Sequence, residues 1–163
     1  RERLRLQVLA GAYRLIDRRS SVDYYPGENV VHIMTTGAMV PEAIAASNTL
    51  MTEGILANVI NVTGPGPLYS SFQASVKASM ESGGQSGRFM SDILSASERK
   101  VPIVTVVDAH PHSLAWIGGA LGCAVMPLGV SEFGQSGNRE DLYKEYGIDV
   151  DSIVAACFAA LEI

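Results

Sequence analysis

The stretch Pro102 to Val107 is the most continuous apolar strand in the chain, and it runs straight into Asp108. A strand that is apolar on both faces must be covered on both. A parallel sheet held between two layers of helices provides that cover. Whatever else this chain does, it has to build such a sheet around these residues.

The remaining pattern supplies the other pieces. Val30 to Met34 is a β-branched strand, and Thr35-Thr36-Gly37 turns it into a helix. That helix carries Pro41 in its first turn and Glu42 favourably placed against the helix dipole. Gly54 suits the left-handed residue that ends it, with Ile55 folding back. Leu56 to Val62 is the next strand, and Gly64-Pro65-Gly66-Pro67 is expected to stop any regular element. Leu68 to Lys100 reads as helical in patches around Gly83-Gly84. After the central strand, a helix is expected from about Ser113, a strand from Cys123 to Leu128 and a loop from Gly129 to Gly137. The last helix is the best specified. Asp149 caps it, Asp151 lies in its first turn, and Ile148 can staple to Ile153. Ile153, Cys157, Ala160 and Leu161 form its apolar face. Upstream, Leu4 to Leu9 reads as a short helix, Ala12 to Ile16 as a candidate edge strand after Gly11, and Arg18 to Asn29 as polar turns.

These elements predict an α/β fold: a three-layer α/β/α sandwich on a mostly parallel sheet of about five strands, with a candidate antiparallel edge strand. One domain is expected over residues 1–163, with 1–29 as an entry segment and 30–163 as the α/β core. The chain begins at Arg1 without an initiator Met, and the expectation is a fragment of a longer chain.

Composition narrows the function classes. With 47% hydrophobic and 18% charged residues in 163, disorder is excluded. A chain of this length buries roughly 70% of the surface its unfolded form exposes, without help from disulfides or a structural metal. Cys123 and Cys157 sit apart in apolar surroundings and read as buried, reduced thiols of a cytoplasmic protein. No apolar run approaches the roughly 20 residues of a membrane span, so no membrane partner is expected. The net charge of −5 is uneven. Six arginines against Glu2 and Asp17 give +4 through Arg19, and six basic against fifteen acidic residues give −9 beyond it. An acidic body is a poor nucleic-acid binder. The basic end reads as a solvated helix face or a joint to another surface.

Familiar cofactor and nucleophile motifs fail. Gly118-Gly119-Ala120-Leu121-Gly122 lies before a strand rather than after one and reads as a helix end. Gly134-Gln135-Ser136-Gly137 and Gly84-Gln85-Ser86-Gly87 lack the G-x-S-x-G spacing and follow no strand. Asp108-Ala109-His110-Pro111-His112 has more chemical interest, because it lies at the carboxyl end of the most buried strand, where open α/β sheets place ligands. Two imidazoles and a carboxylate can bind zinc or shuttle protons. Pro111 constrains the two rings, however, and no further His or Cys ligand is near, so no metal site is assigned. The simpler reading is a polar loop whose histidines meet an interface. Trp116 reads as a packing anchor. No set of nucleophile, base and oxyanion hole assembles, and no catalytic residue is named.

Several segments together resemble the C-terminal domain of the transketolase-like thiamine diphosphate enzymes. They are Gly11-Ala12-Tyr13-Arg14-Leu15, Gly37 followed by Glu42, Ala45, Ala46 and Leu50, the strand Asn58 to Thr63, and Thr105 to Asp108. Phe133-Gly134-Gln135-Ser136 with Arg139 is similar to the Phe-Gly-Arg-Ser-x-x-Arg segment of the homodimeric pyruvate dehydrogenase component. Leu142-Tyr143 through Gly147-Ile148 resembles transketolases more. Arg139 and the long insertion from Gly64 to Lys100 favour the dehydrogenase, with transketolase as the alternative. The resemblance implies a parent that uses thiamine diphosphate and Mg²⁺, bound by upstream domains through a Gly-Asp-Gly motif that this chain lacks. It also implies a homodimer, upstream cofactor-binding domains as partners, a dihydrolipoyl acyltransferase as a further partner, and a chain that is inactive alone. The candidate ligand or interface edge comprises Asp108, His110, His112, Phe133, Gly134, Ser136 and Arg139. A free-standing ligand- or metal-binding module and a pure assembly domain are the rival readings.

Overall fold

The structure, a computed structural model, describes residues 1–84 and 88–163. Helix α1 (Glu2–Ala10) leads into strand β1 (Ala12–Ile16). Then come β2 (Val30–Thr35), a 3₁₀ turn (Gly37–Met39), α2 (Val40–Thr52), β3 (Leu56–Val62), α3 (Pro65–Glu81) and β4 (Ile103–Val106). The chain finishes with α4 (His112–Leu121), β5 (Val125–Leu128), α5 (Arg139–Glu145) and α6 (Val150–Leu161). The strands form one sheet in the order β1-β3-β2-β4-β5. β2 to β5 run parallel, while β1 pairs antiparallel with β3 at one edge. The predicted three-layer sandwich with an antiparallel edge strand is therefore the observed fold.

Alternation along the strands splits the core in two. Val31, Ile33, Val59, Val104 and Val106 face α2 and α6, where Ala46, Leu50, Ile153 and Cys157 close over them. Met34, Ile60, Ile103 and Val107 face the other way, onto Leu68, Phe89, Leu94, Leu114 and Ile117. Every residue of β4 is buried, as its apolar character requires, and each fully buried aliphatic side chain contributes about 1.5–3 kcal/mol. The crossover through α2 runs over one face, and those through α3 and α4 run over the other. The chain thus leaves the neighbouring strands β2 and β4 in opposite directions, which opens a crevice at their carboxyl ends.

Several local expectations are met. Gly54 adopts φ 78°, and the Ile55 amide returns to the Leu50 carbonyl at 3.0 Å. Asp149 accepts from the Ser152 amide at 3.1 Å, and Ile148 and Ile153 are both fully buried. Others are corrected. Gly64-Pro65-Gly66-Pro67 does not stop regular structure: α3 begins at Pro65 and continues to Glu81. Both prolines fall in its first turn, where backbone N–H groups have no intrahelical acceptor to lose. Among the described residues, the patchy helix expected over Leu68 to Lys100 is one continuous helix to Glu81, with turns over 89–100. β5 starts at Val125 rather than Cys123, and Cys123 is only partly buried. Trp116 does anchor packing, in an aromatic cluster with Tyr69, Phe72 and Phe89.

The basic end is largely spent inside the chain. Arg3 and Gln7 on α1 donate to the Asp92 carbonyl, and Arg18 donates to Ser47 and Asn48. Arg14 is buried and donates to Glu98 Oε1 at 2.9 Å. Glu98, only 1% exposed, also accepts from Tyr24 and from the amide and hydroxyl of Ser95. Asn58 continues this network, donating to Tyr24 at 2.9 Å and lying 3.3 Å from Nδ1 of the fully buried His32. The turns 88–101 are pinned to β1, β2 and β3 in this way. The free sides of the sheet are irregular: β1 carries a register shift between Arg14 and Ile16, and β5 carries the exposed Pro127. Among the described residues no helix is long and apolar enough to cross a membrane.

Candidate functional site

The loops that follow β4 and β5 are joined. The Val107 amide donates to the Leu128 carbonyl at 3.2 Å, and the Val130 amide to the Ala109 carbonyl at 2.9 Å. Their backbones approach so closely at Gly129 that a Cβ there would lie 2.5 Å from the Ala109 oxygen. Glycine is required at this crossing because only backbone fits. The joined loops form one wall of a cavity of about 530 Å³ that contains Asp108, Val130, Gly134 and Gln135.

The opposite wall comes from α5. Asn138 starts this helix by accepting from the Asp141 amide at 2.9 Å. The helical spacing of four then places Arg139 and Tyr143 on one side, with the guanidinium carbon 5.9 Å from the Tyr143 ring centroid, a cation–π contact. One turn on, the Tyr146 hydroxyl accepts from the Gln135 amide at 3.0 Å and donates to the Phe133 carbonyl at 3.3 Å. Tyr146 therefore ties the loop to the helix and shapes the cavity.

Tyr143 is only 9% exposed, and among the described residues nothing hydrogen-bonds its hydroxyl. Its pKa is raised, first by burial and then by the carboxylate of Asp108, with Arg139 acting against them. A smaller cavity of about 390 Å³ lies beyond the same Arg139–Tyr143 pair, with Glu42, Lys144 and Asp149 on its walls. The crevice at the switch point thus carries the Asp108 and Glu42 carboxylates, the Arg139 guanidinium and the Tyr143 phenol hydroxyl.

Of the residues expected at this edge, the structure brings Asp108, Gly134 and Arg139 together around the larger cavity. His110 and His112 stay outside it, exposed at the start of α4, with ring centroids 6.4 Å apart and the His112 amide donating to His110 Nδ1 at 3.2 Å. Among the described residues no group of three or more His, Cys, Asp or Glu side chains is placed to share a metal ion. Phe133 is 96% exposed, and Ser136 is exposed and off the cavity wall. The Gly84-Gln85-Ser86-Gly87 motif falls partly on 85–87, outside the described residues. Tyr143, Tyr146 and Gln135 were not anticipated from the sequence. The signal was present in Asn138 preceding Arg139-Glu140-Asp141, a capped helix start that puts Tyr143 one turn beyond Arg139.

A family model described as the transketolase-like TK C-terminal domain matches residues 11–149. No curated protein matches the chain. Among solved structures, the transketolase of Leishmania mexicana is 24% identical over 96% of this chain and 19% of its own, with a TM-score of 0.63. That of Campylobacter jejuni is 22% identical over 93% of this chain and 19% of its own, with a TM-score of 0.60. A split-gene transketolase, described as an inactive beta4 tetramer, is 19% identical over 90% of this chain and 47% of its own, with a TM-score of 0.51. The chain spans about a fifth of the first two and just under half of the third. At these identities the likeness is one of fold.

Proposed function

Because the chain belongs to the transketolase-like C-terminal domain family, we propose that it is the third domain of a longer thiamine diphosphate-dependent enzyme, assisting dimer assembly and carrying none of the reacting groups. The observation behind this reading is the match over residues 11–149, combined with a fold that fills about a fifth of whole transketolases. Thiamine diphosphate with Mg²⁺ would supply the electron sink for cleaving the bond beside a carbonyl. The residues of this chain do not fit that group. No Gly-Asp-Gly occurs, the close-approach glycine at 129 is already filled by the Ala109 carbonyl, and the Asp108 and Glu42 carboxylates would oppose a diphosphate. No step of the parent reaction is therefore assigned to them, and their work is to build a rigid support.

For the parent reaction, transfer of a two-carbon ketol unit is the better supported reading. The insertion from Gly64 to Lys100 favours a 2-oxo-acid dehydrogenase, but a transketolase fold that covers 96% of this chain weakens that segment as a discriminator. Oxidative decarboxylation, with acyl transfer to a lipoyl arm of an acyltransferase, keeps one specific support, Arg139 three residues after Ser136. The split-gene transketolase described as an inactive beta4 tetramer supports a chain that self-associates without turnover.

The full gene product should be assayed for ketol transfer from a ketose phosphate and, separately, for 2-oxo-acid-dependent reduction of an artificial acceptor. The 163-residue chain should be assayed beside it. Activity of the full product in the first assay alone, with none from the 163-residue chain, is the expected result. Turnover by the 163-residue chain would overturn the supporting role, and activity in the second assay alone would replace the reaction.

A further inference from the structure

We propose that two copies of this chain associate through α3, the outer stripe Tyr69, Gln73, Val76 and Met80 packing antiparallel against the same stripe of a second copy. The inference rests on the assembly role proposed above and gives that role its surface.

Helix α3 is half uncovered. Of its 17 residues only Leu68 is buried. Phe72 turns inward onto Phe89 and Trp116, while on the outer side Tyr69 is 43%, Val76 42% and Met80 79% exposed. The open cavity of about 500 Å³ along that side is lined by α3 residues alone, so no other described element stands over it. Large apolar side chains gathered on one solvated helix face mark a contact surface.

The spacing of the stripe selects its occupant. Tyr69, Gln73, Val76 and Met80 follow one another at intervals of four, three and four residues. That alternation is the seam by which a helix packs lengthwise on another helix of the same kind. Two such seams, antiparallel about a two-fold axis level with the 74–75 peptide, set Tyr69 opposite the partner's Met80 and Gln73 opposite the partner's Val76. Each contact is made twice, as an isologous interface requires. Sulfur against an aromatic ring is a favourable pairing at both ends.

The charges agree with this register. Lys77 and Glu81 are the only charged residues of α3, and they bridge each other at 3.9 Å on one flank. Antiparallel packing brings Lys77 beside the partner's Ser70 rather than beside its own counterpart. A chain of net charge −5 thus meets its copy without opposing like charges along the seam. The seam is about 17 Å long and covers less than the roughly 800 Å² per partner of a stable interface. A weak dimer is expected, with a Kd of about 100 μM.

Sedimentation equilibrium of the 163-residue chain from about 5 μM to 1 mM is the test, with backbone amide shifts on dilution to locate the face. The expected result is a monomer–dimer equilibrium with shifts confined to α3. Val76→Glu and Met80→Glu, both at exposed positions, should each weaken the dimer at least about tenfold and keep the parent unfolding midpoint. Ser70→Glu should strengthen it about threefold at low salt, because it sets a carboxylate beside the partner's Lys77 twice over. A strict monomer at about 1 mM would leave this side to a different partner and overturn the proposal. So would a dimer untouched by Val76→Glu and Met80→Glu, or one that Ser70→Glu does not strengthen. None of these readouts needs turnover, so this face and the third-domain reading can fail separately.

Discussion

Glu98 shows how much one side chain can hold. It sits in the turns before β4 and ties them to Arg14 on β1 and Tyr24 in the entry segment. Removing it leaves the buried Arg14 charge with only the half-exposed Asp17 at 3.8 Å as an ionic partner, so Glu98→Ala should lower stability by about 3 kcal/mol in urea unfolding, with Glu98→Gln milder. The same network predicts a pH dependence. Burial holds His32 down to about 4 from 6.5, so the unfolded chain takes up a proton across that interval that the folded chain refuses. Burial would raise Glu98, but hydrogen bonds from Tyr24 and Ser95 and the Arg14 charge outweigh it and hold the carboxyl at about 2, below its ordinary 4.5. Both groups act with one sign. Stability should fall as pH falls from about 6.5 toward 2, by up to about 1.4 kcal/mol per pH unit for each group within its own interval. His32→Gln should flatten the upper half of that decline, as read from unfolding midpoints across the range. None of this was legible in the sequence, because Arg14 and Glu98 lie far apart in the chain and nothing local links them.

At the scale of elements, legibility followed periodicity. The caps at Gly54 and Asp149, the buried strand ending at Asp108 and the apolar face of α6 rest on local chemistry, and all were readable. Asp149→Ala should cost about 1 kcal/mol in thermal or chemical unfolding, since it strips one orphan amide of its acceptor. Helix α5 was overlooked because seven residues offer barely two turns of pattern, and with it went Tyr143 and Tyr146, half of the candidate site. The Gly-Pro-Gly-Pro run misled for a different reason. Its residues break a helix in the interior but are tolerated at its first turn, and position relative to the start is a tertiary outcome. Gly129→Ala tests the joint between the two loops. With backbone 2.5 Å from the new Cβ, it should destabilise by about 1–3 kcal/mol and broaden the amide signals of 108–112 and 129–135.

For the whole molecule, a strand apolar on both faces dictated the layers, and the alternation of elements dictated a parallel sheet. The order β1-β3-β2-β4-β5 came only from the structure, because right-handed crossovers allow a strand to be added on either side. That order leaves β1 and β5 on the outside, and each is spoiled as a template for another chain. Even-numbered residues of β5 bond to β4, with the Ala124 and Leu128 carbonyls accepting from it, so Pro127 presents its missing N–H outward. The register shift between Arg14 and Ile16 interrupts the other rim. Pro127→Val should therefore raise thioflavin-positive aggregation on prolonged incubation while leaving the unfolding midpoint nearly unchanged. A molecule whose two rims refuse to zip onto a neighbour can be crowded against copies of itself without growing into a fibre, and its lasting associations must be made side chain to side chain, across helices and loops.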